Sequence, residues 1–503
     1  MPHQSPLQSG PFFLSKGLFL FCITFIFLGV GSRMVVIGMS HYFNQSAENI
    51  ALNGVLDFSE DTNIYPDTTI SHFRLFAYTP LHALLIGSVI KPLKKFSLLI
   101  RVYAVRLSSF FLLLLIYYLI WQFHLKPHSL SFSVMILAIA LSFSEFGNYA
   151  LSARDDLLAL FFEILASVFF ISWIKKQTYS WLIIFAVTCV LTFLTRQNTV
   201  GMVLAGGGYL LLTKRFREFI VLSMSYCSCL IGGLFLIGHF YPHFFDHAVK
   251  AHAIFWQPFY WTELSTISFF VCYSPFLFLS LIFLAKPQAS KSLSFLKLAV
   301  FTSALGPAIH IYRPGAWLNY FFESILFLIV FCALEITFIN QLTVGSRYRK
   351  LITLCMVFIS ITIGSLHLFK AKKQFTSTAF LDFANSAEKV RELAPMGGVT
   401  LGALGQGIGV YLRDWEVLGP EILNGAHYGE TNYPHFKWAY QRLATLINSE
   451  TPPALLYANL NCGADKEASV LISDPYLMPL LGSYQLHTVI APWLCLYKPI
   501  KSR

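Results

Sequence analysis

Long apolar runs recur along this chain, about eleven of them, and a hydrocarbon core about 30 Å thick needs about 20 apolar residues per helix. Leu18–Val30, Leu107–Trp121, Phe132–Phe143, Leu157–Trp173, Trp181–Leu194 and Gly201–Leu212 each supply most of a crossing. Ile220–Ile237, Ile267–Leu284, Leu296–Ile311, Phe321–Ile339 and Leu351–Ile363 do the same. Only 12% of the residues are charged and 56% are hydrophobic, whereas a soluble domain carries about 25% charge. A water-soluble fold is thereby excluded. The expected class is an α-helical polytopic membrane protein, with about eleven transmembrane helices and additional interfacial helices on the outer side.

The net charge of +11 does not point to nucleic acid, because the basic residues cluster at the ends of the apolar runs. Lys175-Lys176, Lys214-Arg215-Arg217, Lys286–Lys291 and Arg347-Arg349-Lys350 are each separated from the next by two runs. Under the positive-inside rule all of them are cytoplasmic, and contact with anionic lipid is the expected use. Lys91, Lys94 and Lys95 break the parity unless Pro80–Ile90 lies along the outer interface as a short helix rather than crossing. Residues 40–97 then form one long outer segment, and most carboxylates before Leu368 fall on the outer side. The first apolar run is followed by no small-residue cleavage site, so it reads as a retained anchor.

Composition changes after about residue 370. Residues 1–370 read as the transmembrane domain and 371–503 as a small α/β domain on the outer side. In the latter, Glu388–Leu393 has helical spacing, and Gly398–Leu401 and Ala454–Ala458 look like strands. Phe436–Ile447 is an amphipathic helix candidate, and Leu486–Ile490 with Leu494–Tyr497 is a closing strand pair. The glycine-rich stretch Gly405–Gly409 is not a dinucleotide fingerprint and reads as loop. Of the nine cysteines, Cys462 and Cys495 are the pair outside the apolar runs. An outer location would let them form a disulfide, worth about 3–4 kcal/mol on the chain-entropy model; the alternative is a core residue and a loop thiol.

Ser152-Ala153-Arg154-Asp155-Asp156-Leu157 is the sharpest local signal. Two carboxylates and an arginine stand where an outer loop meets an apolar helix, where ionisable groups are costly and usually functional or paired. Helix capping is the competing explanation. Asp156 reads as a rim carboxylate that contributes little to packing. Tyr42–Gly54 reads as a short helix ended by Gly54, with Glu48 as its acid. Pro80 starts the interface helix, and His82 beside it is by itself more often packed than catalytic. The segment 239–263 is rich in His and aromatics, but its spacing is loose, so an aromatic belt or a wall for a sugar or lipid chain is favoured over a metal site.

Taken together, the long acidic first outer loop, Tyr78-Thr79-Pro80-Leu81-His82 and Ala153–Leu157 resemble the GT-C superfamily of glycosyltransferases. The protein O-mannosyltransferase and aminoarabinose transferase types are the nearest groups. Gly315-Ala316-Trp317-Leu318-Asn319-Tyr320-Phe321 with Glu323 is similar to a Gly…Asn-Tyr-Phe…Glu pattern in bacterial members. The resemblance spans roughly residues 10–370. It implies transfer of a sugar, with inversion, from a polyprenyl-phosphate donor to a glycan, lipid or protein acceptor at the periplasmic face of a bacterial inner membrane. It also implies Asp156 as a catalytic carboxylate, with Asp155 beside it, and Tyr78, His82, Asn319, Tyr320 and Glu323 as substrate contacts. The family's first-loop Asp has no counterpart at Met39–Ser40. Either Glu48 takes that role, or the base comes from elsewhere, or the chain is a divergent or inactive member.

The chemistry needs a carboxylate to accept the acceptor's proton and cations to hold the departing phosphate. Arg74, Lys94, Lys95, Arg154, Arg196 and Arg313 are the outer cations best placed for that, with lipid-headgroup anchoring as the alternative. A monophosphate leaving group does not compel a metal, and no cofactor is expected. A transporter of lipid-linked sugars is the second hypothesis, but transporters usually show internal repeats and midplane charges, and no repeat is visible here. A non-catalytic envelope-assembly protein is the third.

Overall fold

The computed structural model describes residues 16–38, 46–67, 76, 78–126, 130–142, 152–248, 290–310, 321–339, 383–401, 408, 412, 415–418, 443–449, 452–458, 484–491 and 494–500. The chain packs as two compact units. Met1–Gly38, Arg106–Leu234 and Phe255–Lys373 make the first; Met39–Val105, Phe235–Ile254 and Gln374–Arg503 make the second.

The helices of the first unit are α1 (Lys16–Gly38), most of α4 (Leu98–Leu119), α5 (Leu130–Ser142), α6 (Asp156–Lys176), α7 (Tyr179–Thr195) and α8 (Gly201–Leu212). Most of α9 (Phe216–Phe240), α11 (Lys291–His310) and α12 (Phe322–Ile339) complete it. In lipid every backbone amide must be satisfied within its own segment, and a helix does that. The nine apolar runs that fall on described residues are all helical, most with ends a few residues beyond the run; Ile267–Leu284 and Leu351–Ile363 lie outside the described residues. Among the described residues, Leu98–Leu125, Asp156–Lys176 and Phe216–Phe240 are long and apolar enough to cross a membrane. α9 leaves Phe216, Ile220, Met224, Ile231 and Phe235 exposed, an apolar surface suited to lipid.

The bundle core forms around α6. Gln177 has a left-handed φ of 57° and turns the chain into α7, while its side chain donates to the Ile174 carbonyl at 2.7 Å. Phe170 stacks on Phe295 at 4.3 Å and meets Phe185 at 4.8 Å. This fit depends on Gly206, where an added Cβ would lie 2.6 Å from the Phe185 ring. Trp173 at the far end of α6 is buried and carries the Arg215 guanidinium 4.6 Å from its ring.

In the second unit, α2 (Ser46–Ser59) packs on α3 (Leu81–Ile90). Gly54 does not end α2 but lies inside it, since a Cβ there would stand 2.2 Å from the Phe76 ring; close approach, not termination, is its use. Pro80 is the N-cap of α3. Tyr65 is fully buried among Phe76, Tyr241, Phe244 and His247, and its hydroxyl donates to the Tyr78 carbonyl at 2.6 Å. His247 sits in the short helix α10 (Phe244–Ala248). It accepts from the Phe76 amide at Nδ1 (3.3 Å) and donates from Nε2 to the Pro66 carbonyl at 2.8 Å.

The C-terminal segment folds α13 (Phe383–Leu393) and a five-stranded sheet in the order β2-β1-β3-β5-β4. β1 (Gly398–Leu401) runs parallel to β2 (Glu416–Leu418) and β3 (Ala454–Ala458). β5 (Leu494–Pro499) is antiparallel to β3 and to β4 (Tyr484–Ala491). β2 was not evident from sequence; it is three residues long, too short for a period-2 pattern to register. Of the candidate helix Phe436–Ile447, the described part, 443–447, is helical. Most of Gly405–Gly409 lies outside the described residues. Cys495 is fully buried and disulfide-bonded; Cys462, its expected partner, lies outside the described residues.

Candidate active site

The first turn of α6 and the residues just before it carry a group of buried charge in the first unit. Asp155 is the N-cap and Asp156 the first helical residue. α7 ends at Thr195, and the five residues that follow are tied down before α8 begins. The Arg196 amide donates to the Thr192 carbonyl at 2.9 Å, and the Thr199 hydroxyl donates back to the Arg196 carbonyl at 2.6 Å. That tight loop delivers the Arg196 side chain to α6.

Asp156 is gripped from both sides. Arg154 Nε donates to Asp156 Oδ2 at 2.7 Å, and Arg196 Nη1 forms an ion pair with Asp156 Oδ1. The Asp156 side chain is fully buried and both arginines nearly so. Asp156 is therefore not the rim carboxylate of little packing role expected from the sequence, because both its oxygens neutralise buried guanidinium groups. Asp155 is in the opposite situation. It is 1% exposed, makes no capping hydrogen bond to α6, and its Oδ2 has no partner among the described residues. Burial first, and the adjacent Asp156 carboxylate second, raise the Asp155 carboxyl above the ordinary carboxylate range.

Two turns further along α6, Glu163 meets Glu323 from the first turn of α12. Both are buried. Oε2 of Glu163 and Oε1 of Glu323 have no other partner among the described residues. Gly201, opening α8, leaves room for them: a Cβ there would lie 2.4 Å from Glu323 Oε1 and 2.5 Å from Ser303 Cα. Arg196 is close enough to act electrostatically on Asp155 and on Glu323. Of the expected site residues, the structure therefore gathers Arg154, Asp155, Asp156, Arg196 and Glu323 in the first unit. Glu163 was not assigned a role from sequence, although a lone glutamate in an apolar run is itself a signal.

The remaining candidates on described residues belong to the second unit. Glu48 is buried in the first turn of α2, and His82 is buried on α3. Tyr78 is partly exposed, its ring edge-on to Phe76 at 6.0 Å. Lys94 pairs with Asp61 at 3.4 Å beside a closer Lys91 contact, and the Lys91 hydrogen bond holds Asp61 below its usual value. Lys95 is exposed. Arg74, Arg313, Asn319 and Tyr320 lie outside the described residues. In the histidine-rich segment, His247 has both ring nitrogens engaged with backbone, so it serves the fold there.

Compared by sequence, the chain matches no family model and no curated protein. Compared by structure, it is similar to ArnT from Cupriavidus metallidurans bound to undecaprenyl phosphate. The TM-score is 0.60 at 11% identity, covering 97% of this chain and 99% of that one. The same protein in its apo state gives 0.61 at 12% identity, over 96% and 98%. An Archaeoglobus fulgidus oligosaccharyltransferase, solved with zinc and sulfate, aligns at 0.47 with 10% identity over 93% of this chain and 71% of that one, and nothing rests on it. The likeness shows the fold: this chain is a helical membrane protein folded like ArnT.

Proposed function

We propose that the protein is a membrane glycosyltransferase that moves a sugar from a polyprenyl-phosphate donor to an acceptor hydroxyl. The observation that carries this reading is the Arg154–Asp156–Arg196 cluster with Asp155 beside it, at the head of an apolar helix. Buried guanidinium groups are the donors best suited to a phosphate monoester, and a neighbouring carboxylate is the group needed to take a proton. The fold adds support, since its structural neighbour ArnT binds undecaprenyl phosphate.

In this reading the acceptor oxygen attacks the anomeric carbon as the sugar–phosphate bond breaks, with inversion. The electron pair leaves on the polyprenyl phosphate and its added charge falls on the arginines. A metal is not needed for that leaving group, and Tyr78, His82, Glu48 and Lys95 are further candidates for substrate contact. The active face is taken to be the periplasmic side of a bacterial inner membrane. The basic clusters support that orientation, as does the disulfide at Cys495, since disulfides persist in oxidising compartments.

The test is to incubate purified protein in lipid nanodiscs with radiolabelled undecaprenyl-phosphate hexoses and pentoses and an extract of native envelope as acceptor. Label should move to a non-donor product and undecaprenyl phosphate should be released in equal amount. Flipping of intact donor across proteoliposomes without any product would replace the transferase reading by the transporter.

A further inference from the structure

The two adjacent carboxylates at the head of α6 occupy opposite electrostatic situations. Asp156 has no oxygen to spare. Oδ2 accepts from Arg154 Nε at 2.7 Å and Oδ1 is paired with Arg196 Nη1, so its charge is committed to two buried cations. Its charge is what keeps two buried guanidinium groups in place, which without it would be stranded in a medium of low dielectric.

Asp155 is free of such commitments. Although it occupies the N-cap, it makes no capping bond, and its buried Oδ2 faces no partner among the described residues. A buried polar atom without a partner costs free energy comparable to a lost hydrogen bond, and persists where a ligand supplies the missing group. Burial raises the carboxyl's affinity for a proton, which suits a group that must take one up near neutrality.

Resting on the transferase reading, we propose a division of labour: Asp155 is the catalytic base, and Asp156 is a positioning residue that fixes Arg154 and Arg196 for the donor phosphate. The step balances. Asp155 Oδ2 accepts the proton of the acceptor hydroxyl as that oxygen bonds to the anomeric carbon. The bond from that carbon to the phosphate oxygen breaks, and its electron pair stays on polyprenyl phosphate, whose gain of one negative charge is met by the arginines. Asp155 then returns the proton to water. The family pattern singles out the second aspartate; the geometry assigns the proton to the first.

The experiment uses wild type, Asp155→Asn, Asp156→Asn and Asp156→Glu, full length in nanodiscs. Two quantities are read: transfer from radiolabelled undecaprenyl-phosphate sugar across pH, and equilibrium binding of undecaprenyl phosphate. Asp155→Asn should stay folded, bind undecaprenyl phosphate within about twofold of wild type, and lose about 100-fold or more in transfer, the usual size of a general-base contribution. Its residual rate should lack the acid limb of the wild-type profile. Asp156→Asn should instead weaken undecaprenyl phosphate binding about tenfold while its residual transfer keeps that limb, and Asp156→Glu should recover part of the binding. If Asp156→Asn does not accumulate folded, Asp156→Glu and Asp155→Asn decide the matter. Transfer by Asp155→Asn within threefold of wild type, or an unchanged acid limb, would overturn the proposal. Wild type that binds undecaprenyl phosphate yet transfers nothing would sink the transferase reading instead, and Asp155 as base with it. The binding results would still judge Asp156 as the anchor of the two arginines.

Discussion

At the residue scale, stability and chemistry meet in the same few side chains. Breaking a buried ion pair by removing one partner costs about 3–5 kcal/mol, because an uncompensated charge is left behind. Asp156→Asn strands two such charges, so its melting temperature in detergent should fall well below that of Asp155→Asn. Equal melting temperatures would contradict the burial described here. His247 gives a separate, pH-linked expectation in the second unit. Nδ1 accepts from the Phe76 amide while Nε2 donates to Pro66, so the folded state holds the neutral ring in one tautomer. Burial pushes its pKa down from 6.5 to about 4. Between those values the unfolded state binds the proton and the folded state does not, so stability is full above about pH 6.5 and is lost as pH falls towards 4. His243, Asp246 and Asp67 lie near it, with His243 3.5 Å from Asp246 and 3.9 Å from Asp67. Hydrogen exchange at the Phe76 amide should quicken over that window in wild type. A His247→Gln variant should show no such window; an identical pH response in it would exclude His247 as the cause.

At the element scale, the sequence revealed where helices run far better than how they meet. Apolar runs announce spans because lipid demands internal hydrogen bonding, and β1, β3, β4 and β5 fall on the short strand-like runs legible in the sequence. Glycines were less legible. Gly54 carries the composition of a helix stop and is a contact for Phe76, which nothing local in the sequence records. Gly201 is the functional counterpart, the only side-chain choice that leaves Glu323 and Ser303 in place. Gly201→Ala should therefore destabilise the bundle by about 1–3 kcal/mol from overpacking, since at the first position of α8 the helix-interior preference for alanine offsets little of it. Gly208, on the same helix with open space around it, is the control: Gly208→Ala should be neutral or stabilising. Detergent melts of the two variants check the pair, and a neutral Gly201→Ala would mean the Glu163–Glu323 contact is not packed as described. The site was legible in the same partial way. Arg154, Asp155 and Asp156 stand together in the chain, but the reach of Arg196 to Asp156 and the meeting of Glu163 with Glu323 are tertiary facts.

At the scale of the whole molecule, charge distribution predicts how the chain is threaded. The Lys214–Arg217 connection should be cytoplasmic and α13 external. In a cysteine-depleted background that retains Cys462 and Cys495, Glu388→Cys should label from outside intact cells, and Lys214→Cys only after permeabilisation. Labelling of both from one side would break the parity argument. The proposed function makes a narrower prediction than topology, that the head of α6 and the loop between α7 and α8 hold a lipid-linked phosphate. Photo-crosslinking with undecaprenyl phosphate carrying a photoreactive group on the isoprene next to the phosphate tests it most directly. Adducts are expected within 152–156 and 196–200, reduced by unlabelled undecaprenyl phosphate and by Arg196→Gln, and not by the uncharged alcohol. Adducts confined to other segments, or equal competition by undecaprenol, would contradict it.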